Sequence, residues 1–145
     1  MSKIKSKKVG KLSRTADTQP KRVSFRFDRI TTNKNYNFNY FKDKSEKLKS
    51  LAALFEKLQI LTSKSLPDLT LERKISGCET IPINNFKENA RRAFMNSDIV
   101  SSDSSLVIFR FASQKYRIIC KTAIDDNSIL YILGFDFDFS AYNHG

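Results

Sequence analysis

The residues in this chain that could carry chemistry are mainly arginine, lysine and tyrosine. The sequence contains no phosphate-binding glycine loop, no serine nucleophile elbow and no pairing of cysteine with histidine. His144 is the single histidine, and Cys78 and Cys120 lack the spacing of metal ligands. We therefore expect no metal ion or other cofactor. We expect the cysteines to be buried free thiols, as in a reducing cytoplasm.

This inventory suits cleavage of an RNA backbone. The 2′-hydroxyl attacks the adjacent phosphorus, so an enzyme must align the attack, stabilise the added negative charge and move two protons. Arginine and lysine can stabilise the charge, and tyrosine or histidine can take part in proton transfer. The sequence thus permits an RNA-cleaving site that needs no metal ion.

Candidate side chains for such a site are grouped near the C-terminus. Arg117 and Lys121 are four residues apart on one predicted strand, so they share a face of the sheet. Arg110 belongs to the preceding strand and comes near Arg117 if the chain turns at Ser113 and Gln114. Basic residues on an exposed sheet face are also commonly just solvated. The spacing alone therefore leaves both interpretations open.

The elements that must position these residues follow from hydrophobic periodicity. Alternating and β-branched patterns predict strands, and apolar residues at three- and four-residue steps predict helices. The predicted strands are residues 23–28, 106–111, 116–121 and 128–135, and the predicted helices are residues 43–62, 63–70 and 84–95. Residues 73–83 are expected to be irregular or a short strand. The segregated order predicts an α+β fold with an antiparallel sheet of about four strands and two or three helices packed on one face.

Two segments carry more specific expectations. In the helix of residues 43–62, one face collects the apolar residues expected to face the core, which are Leu48, Leu51, Ala52, Phe55, Leu58 and Leu61. The asparagine-rich segment 31–39 and the two residues after it carry four aromatic side chains, Tyr36, Phe38, Tyr40 and Phe41. They could stack on bases. We expect instead that they cover the core beneath a loop.

Positive charge is concentrated at the N-terminus. The whole chain has a formal net charge of +11, and residues 1–22 hold eight Lys and Arg against one acid. We expect residues 1–22 to form a flexible, disordered basic tail ahead of one domain, residues 23–145. The tail could be a solubilising or nuclear-type segment, or an arm that binds RNA phosphates through Lys3, Lys5, Lys7, Lys8, Lys11 and Arg14.

No apolar run is long enough to span a bilayer, and no hydrophobic stretch follows the N-terminal lysines. We therefore expect a cytoplasmic protein with no membrane partner.

The stretch Ile108-Phe109-Arg110-Phe111-Ala112-Ser113-Gln114-Lys115-Tyr116-Arg117-Ile118-Ile119 resembles a segment of the RelE-like bacterial toxins. In that family a basic strand turns into a Tyr-Arg-apolar-apolar strand, followed by an acidic turn, an apolar strand and a tyrosine near the C-terminus. Here Asp125-Asp126-Asn127, residues 129–135 and Tyr142 match that order.

The resemblance implies a toxin of a type II toxin–antitoxin pair that cuts mRNA on the ribosome without a metal ion. It implies that Arg117 contacts the phosphate, that Arg110 takes a position often basic in the family, and that Tyr142 stacks on or activates the RNA. The implied partners are mRNA with the ribosome and a cognate antitoxin, which we expect to be acidic.

The chain departs from the family pattern just before Tyr142. Asp136 and Asp138 stand where the family often has a basic residue or a histidine, and His144 could either compensate or be frayed terminal sequence. Two alternatives therefore stay open. One is a non-enzymatic RNA- or ribosome-binding protein on the same fold, and the other is a ParE-type toxin that inhibits gyrase.

Overall fold

The computed structural model describes residues 20–143, which form one mixed sheet with helices on both faces. The strands are β1 (Ser24–Arg26), β2 (Cys78–Pro82), β3 (Ser105–Phe111), β4 (Tyr116–Thr122) and β5 (Ile129–Asp136). The α-helices are α1 (Lys44–Leu61), α2 (Leu66–Leu71), α3 (Arg73–Ser76) and α4 (Glu88–Met95). Three short 3₁₀ turns lie at Lys34–Tyr36, Phe38–Tyr40 and Ile83–Asn85.

The strands lie in the order β1-β5-β4-β3-β2. Strands β2 to β5 pair antiparallel with their neighbours, and β1 pairs parallel with β5. The three C-terminal strands form an antiparallel meander, because short turns connect antiparallel neighbours. Strand β5 is almost wholly apolar and lies between β1 and β4, as expected for a strand covered on both faces.

Two hydrophobic clusters lie on opposite sides of this sheet. Helices α1 and α2 contribute Leu54, Leu61 and Leu69 to the first, against alternate residues of the strands such as Phe109 and Ile118. Helix α4 contributes to the second cluster, whose buried members include Ala90, Ala93, Phe94, Leu106, Ile108, Ile119, Leu133 and Tyr142. Successive side chains along β3 and β4 therefore point to opposite faces of the sheet, and each face contributes to one of the two clusters.

The predicted fold class is confirmed, with differences in detail. The sheet has a fifth strand, because residues 78–82 pair with β3, which confirms the short-strand alternative for the second half of segment 73–83. Helices α1 and α2 pack on one face as expected, whereas α4 covers part of the opposite face. That opposite face is therefore not wholly free to carry a site.

Helix α1 turns a different face to the core than its apolar pattern predicts. Ser50, Leu54 and Leu61 are buried, whereas Leu48 is 58% exposed and Phe55 is 63% exposed. The prediction is wrong for Leu48, Leu51, Ala52 and Phe55, which are exposed, and it is confirmed for Leu58 and Leu61, which pack on the core. The helix has apolar residues on both sides, so periodicity alone could not select the buried one.

Local capping explains where the helices begin. The Asp43 side chain accepts a hydrogen bond from the Ser45 N–H, and the Ser65 hydroxyl accepts one from the Asp68 N–H. Helix α4 begins at Glu88, later than the predicted start at residue 84, because Asn84 and Asn85 belong to a preceding 3₁₀ turn.

The aromatic residues of the 31–41 segment pack on the core. Tyr36 is buried against Phe94, and the Phe38 ring lies 4.8 Å from the Phe135 ring and 5.1 Å from the Phe137 ring. This confirms the core-covering interpretation of the segment. Both cysteines are buried free thiols as well, and burial raises the pKa of each.

Two residues of the predicted tail, Lys21 and Arg22, are among the described residues. Lys21 forms an ion pair with Asp126, and Arg22 forms a β-bridge with Ser65, so both residues contact the domain. The basic residues proposed for RNA binding, Lys3 to Arg14, lie outside the described residues. Across residues 20–143, no helix has the length and apolar character needed to cross a bilayer.

Candidate functional site

Arg110 and Arg117 lie directly opposite each other across the β3–β4 pair. The connecting turn holds Ala112, Ser113 and Gln114 at positive φ angles of 55°, 55° and 68°. This left-handed turn closes the hairpin at the predicted position and brings the two guanidinium groups to one end of the sheet. Two like charges opposite each other are unfavourable unless acceptors surround them.

Arg117 is almost completely buried, with 8% of the residue exposed. One of its terminal nitrogens, Nη1, donates to the carbonyl oxygens of Gln114 at 2.8 Å and Tyr116 at 3.3 Å. Its guanidinium carbon lies 5.3 Å from the centre of the Phe139 ring. A buried arginine held this way braces the turn and places a fixed positive charge beneath the end of the sheet.

Arg110 is more accessible, and a glycine makes room for it. A Cβ on Gly77 would stand 2.9 Å from the Arg110 Cβ and 3.4 Å from its Nε, so the arginine lies across the bare glycine backbone. Gly77 also has a φ of 71°, at the left-handed end of α3. From this position Arg110 donates to the Gln114 side chain and lies 4.0 Å from the Glu79 carboxylate.

Glu79 is the acidic group of this end of the sheet. Its Oε2 lies 4.0 Å from the Arg110 Nε and accepts a 3.4 Å hydrogen bond from the Tyr142 hydroxyl. Among the described residues, Oε1 has no polar partner. Because the Glu79 side chain is only half-buried, this oxygen can meet a ligand.

Tyr142 is buried, with 3% of the residue exposed, and packs with its ring 5.3 Å from the Phe86 ring. Burial, together with the negative charge of Glu79, raises the pKa of Tyr142 to about 12, although a hydrogen bond with Arg117 opposes the rise. The phenol therefore stays neutral over the physiological range. It links Arg117 to Glu79 as a fixed hydrogen-bonding group.

Asp136 folds the C-terminal segment that carries Tyr142. The residue is 1% exposed, and its Oδ1 accepts hydrogen bonds from the Asp138 and Ser140 N–H groups. Its Oδ2 accepts from the Ala141 N–H, and the residue stands opposite Arg117 in the β4–β5 register. Asp136 thus stabilises the chain turn before Tyr142 through these backbone hydrogen bonds.

A cleft of about 270 Å³ opens beside these groups, lined by Arg73, Lys74, Cys78, Glu79, Thr80 and Arg110. We call it the Glu79 cleft. Its charged lining is three cations against one carboxylate. Lys57 lies on the other side of Arg110 and donates to the Ser76 carbonyl oxygen at 2.7 Å. Burial and, secondarily, the Arg110 charge lower the pKa of Lys57.

The predicted site residues are therefore only partly brought together. Arg110, Arg117 and Tyr142 meet at one end of the sheet. Lys121 lies opposite Tyr131, roughly 13 Å along β4 from Arg117 at about 3.3 Å per residue, and donates to the Thr122 carbonyl. It belongs to a different part of the surface. His144 lies outside the described residues.

Sequence reasoning missed Glu79, Arg73 and Lys74. The sequence predicts that segment 73–83 is irregular or a short strand. The strand is present from Cys78, whereas residues 73–76 form α3, which the sequence did not predict and which ends at Gly77. The run Cys78-Glu79-Thr80-Ile81 does contain β-formers, which is a weak strand signal. Nothing local in the sequence indicates that Glu79 meets Tyr142, because 63 residues separate them.

Within residues 20–143, no three His, Cys, Asp or Glu side chains come together in a way that could hold a metal ion. No family model matches the chain, and no curated protein and no solved structure is significantly similar to it.

Proposed function

We propose that this protein is an endoribonuclease whose reaction takes place in the Glu79 cleft. One observation carries the proposal. The Glu79 carboxylate lies between the Arg110 guanidinium and the Tyr142 hydroxyl, at the wall of a cleft that also presents Arg73 and Lys74. A carboxylate among cations is the minimum set for moving a proton from a 2′-hydroxyl while holding a phosphate.

Glu79 is the general base in this proposal. Its Oε2 is held by Arg110 and Tyr142, so Oε1 is left to accept the proton of the 2′-hydroxyl. Tyr142 acts as a positioning residue, because its buried ring cannot stack on a base and its raised pKa keeps the phenol protonated. This role differs from the stacking role that the family resemblance implies.

Arg110 stabilises the phosphate in this proposal. Its side chain is partly accessible, and within the described residues its buried Nε has no hydrogen-bond partner. An added phosphate oxygen would supply an acceptor to the guanidinium, and the charge-assisted bond would strengthen as the phosphate gains charge. Arg117 adds positive potential from below, while Arg73 and Lys74 extend it along the outer wall.

Lys57 is the candidate acid for the departing 5′-oxygen. The lysine lines the groove on the far side of Arg110, and its lowered pKa makes the ammonium group a better proton donor than an ordinary lysine. The proton lost by the 2′-hydroxyl goes to Glu79, and the 5′-oxygen takes one from Lys57. The products are a 2′,3′-cyclic phosphate and a 5′-hydroxyl.

The test is cleavage of a single-stranded RNA by the purified chain, with and without ribosomes. A matching RNA with 2′-O-methyl groups should remain intact, because the nucleophile is blocked. Glu79→Gln keeps the shape and the hydrogen bond from Tyr142 but removes the base, so the rate should fall about 10²- to 10⁴-fold.

Glu88→Gln is the matched control, because Glu88 is an exposed carboxylate on α4 that pairs with Arg92, away from the Glu79 cleft. This variant should cleave RNA at the wild-type rate. Equal cleavage by Glu79→Gln and wild type would contradict the proposed base. Cleavage of the 2′-O-methyl RNA would contradict the proposed chemistry altogether.

The biological setting proposed here rests on the RelE-like resemblance of residues 108–119. In that setting the substrate is mRNA on the ribosome, the protein works in the cytoplasm, and an acidic antitoxin neutralises it. Growth arrest on expression, relieved by Glu79→Gln, supports this setting. Harmless expression of a chain that cleaves RNA in vitro contradicts the toxin assignment and leaves the nuclease assignment intact.

A non-catalytic RNA-binding protein is the second candidate. Its specific support is the burial of Arg117 and Tyr142, the two residues to which the resemblance assigns catalytic roles. Such a protein would bind RNA through the cations around the Glu79 cleft and lose affinity steeply as salt increases. RNA that is bound but never cut, with affinity unchanged by Glu79→Gln, would favour it over the nuclease.

A further inference from the structure

Helix α1 carries an apolar surface that no described part of the chain covers. Leu48, Leu51, Ala52 and Phe55 are all exposed, and they lie on a single helix face, because Leu48 is three and four residues before Leu51 and Ala52, and Phe55 is four and three residues after them. We call this surface the α1 stripe. The opposite side of the same helix is buried in the core, so α1 is apolar on two sides. A helix with that property is normally buried on both of them.

We propose that the α1 stripe is covered by the α1 stripe of a second copy of this chain, in an antiparallel helix pair. The stripe has the symmetry that such a pair needs. Leu48 stands four residues before Ala52, and Phe55 stands three residues after it. A twofold axis near Ala52 therefore places Leu48 of each copy against Phe55 of the other copy. The small Ala52 at the centre lets the two helices approach closely.

Charge supports the same arrangement. Lys49 and Glu56 lie seven residues apart, two turns along one flank of the stripe, on either side of Ala52. In an antiparallel pair a given flank of one helix meets the same flank of the other. Lys49 of each copy would therefore meet Glu56 of its partner, and the contact would form twice.

Shape supports it as well. A groove of about 450 Å³ opens at the start of α1, lined by Phe41, Leu48, Leu51 and three lysines, Lys42, Lys44 and Lys47. The antiparallel pair places the exposed Phe55 ring of the second copy over this groove. The aliphatic stems of the lysines would cover the ring while their ammonium groups stay in water.

Charge also argues against the chain's own tail as the occupant. Residues 1–22 have a net charge of +7 and would have to lie beside the three lysines of the groove. Like charges at that spacing repel. A second copy avoids this conflict, because its Phe55 end brings Glu56 rather than a lysine cluster.

The dimer should be weak and should tighten with salt. Helix α1 has 18 residues, so the pair is about 27 Å long and its buried area falls near or below the roughly 1,200 Å² that separates transient from stable interfaces. Each copy has a net charge of +11, and salt screens the repulsion between copies. An acidic partner on the same surface would show the opposite salt dependence.

The test is sedimentation equilibrium of the full chain from about 1 µM to about 1 mM, at low and at high salt. We expect a reversible monomer–dimer equilibrium whose dissociation constant falls as salt increases. Phe55→Glu should raise that constant about tenfold or more. Leu71→Glu is the matched control, because Leu71 is an exposed leucine on α2 outside the stripe, and it should leave the equilibrium unchanged.

Variants of Lys49 and Glu56 test whether the two helices are antiparallel. Lys49→Glu alone should weaken the dimer, and adding Glu56→Lys should restore it, whereas a parallel pair gives no restoration. A chain that stays monomeric at high salt, or a dimer that Phe55→Glu leaves intact, would overturn the proposal. Binding of the monomer to anionic vesicles through the stripe would overturn it too. None of these results depends on RNA cleavage.

Discussion

The alkaline titration of Tyr142 offers a quantitative test of the candidate site. Burial beside the Glu79 carboxylate raises the pKa of Tyr142 from 10.0 to about 12. Folding therefore favours the neutral phenol, and the stabilisation is fully present below about pH 10. It is lost as the pH rises from about 10 to about 12, because the unfolded chain ionises first. Two pKa units correspond to about 3 kcal/mol of unfolding free energy.

The perturbation that isolates this residue is Tyr142→Phe. At neutral pH the variant loses the hydrogen bond to Glu79, which costs about 1 kcal/mol. The difference between the two proteins should then shrink and change sign as the pH approaches 12, because only the wild type has this phenol to ionise. Other tyrosines and lysines titrate in both proteins and cancel in the difference.

Denaturant unfolding followed by circular dichroism, repeated at intervals from about pH 8 to about pH 12, measures this difference. Tyrosinate absorbance gives a second readout, because the late titration of Tyr142 should be missing in the variant, whereas Tyr36 and Tyr40, whose pKa values burial also raises, titrate in both proteins. Parallel loss of stability in both proteins would refute the reasoning. It would mean that Tyr142 is as solvated in the folded state as in the unfolded chain.

Further predictions concern the groups that shape the site and α1, each checked by denaturant unfolding. Asp136→Asn should cost about 1–3 kcal/mol, because an amide nitrogen cannot accept the N–H bonds that the buried carboxylate accepts. Gly77→Ala should cost about 1–3 kcal/mol, because the residue has a φ of 71° and its Cβ would meet Arg110. Leu54→Ala should cost about 2–5 kcal/mol, whereas Leu48→Ala in dilute monomer should change stability by less than about 0.5 kcal/mol. Equal costs for the two leucines would contradict the orientation of α1.

The candidate site contains Arg110 and Arg117, which sequence spacing predicted, and Glu79, which it did not predict. Arg110 and Arg117 meet because the turn of residues 112–115 fixes the register of the hairpin, and turn signals are readable from sequence. Glu79 joins them only because β2 pairs with β3 on the far edge of the sheet. The base in the proposed reaction therefore depends on a long-range strand pairing.

The acidic residues before Tyr142 show how a local comparison can mislead. By sequence, Asp136 stands at a position where the RelE-like toxins often have a basic residue or a histidine. In the structure its carboxylate accepts three backbone N–H groups and is enclosed by the turn that it organises. A buried carboxylate bonded in this way stabilises the backbone turn around it.

The sequence by itself determined the α+β class, the C-terminal meander and the meeting of Arg110 with Arg117, because alternation and turn residues act over a few positions. Only the tertiary structure decided which side of α1 is buried, since both of its sides are apolar and the choice depends on the fit against the sheet. The same holds for Tyr142, whose pKa and role follow from contacts with Glu79 and Arg117 that bring distant parts of the chain together. Long-range packing sets the burial and charge around these groups, and no local pattern encodes it.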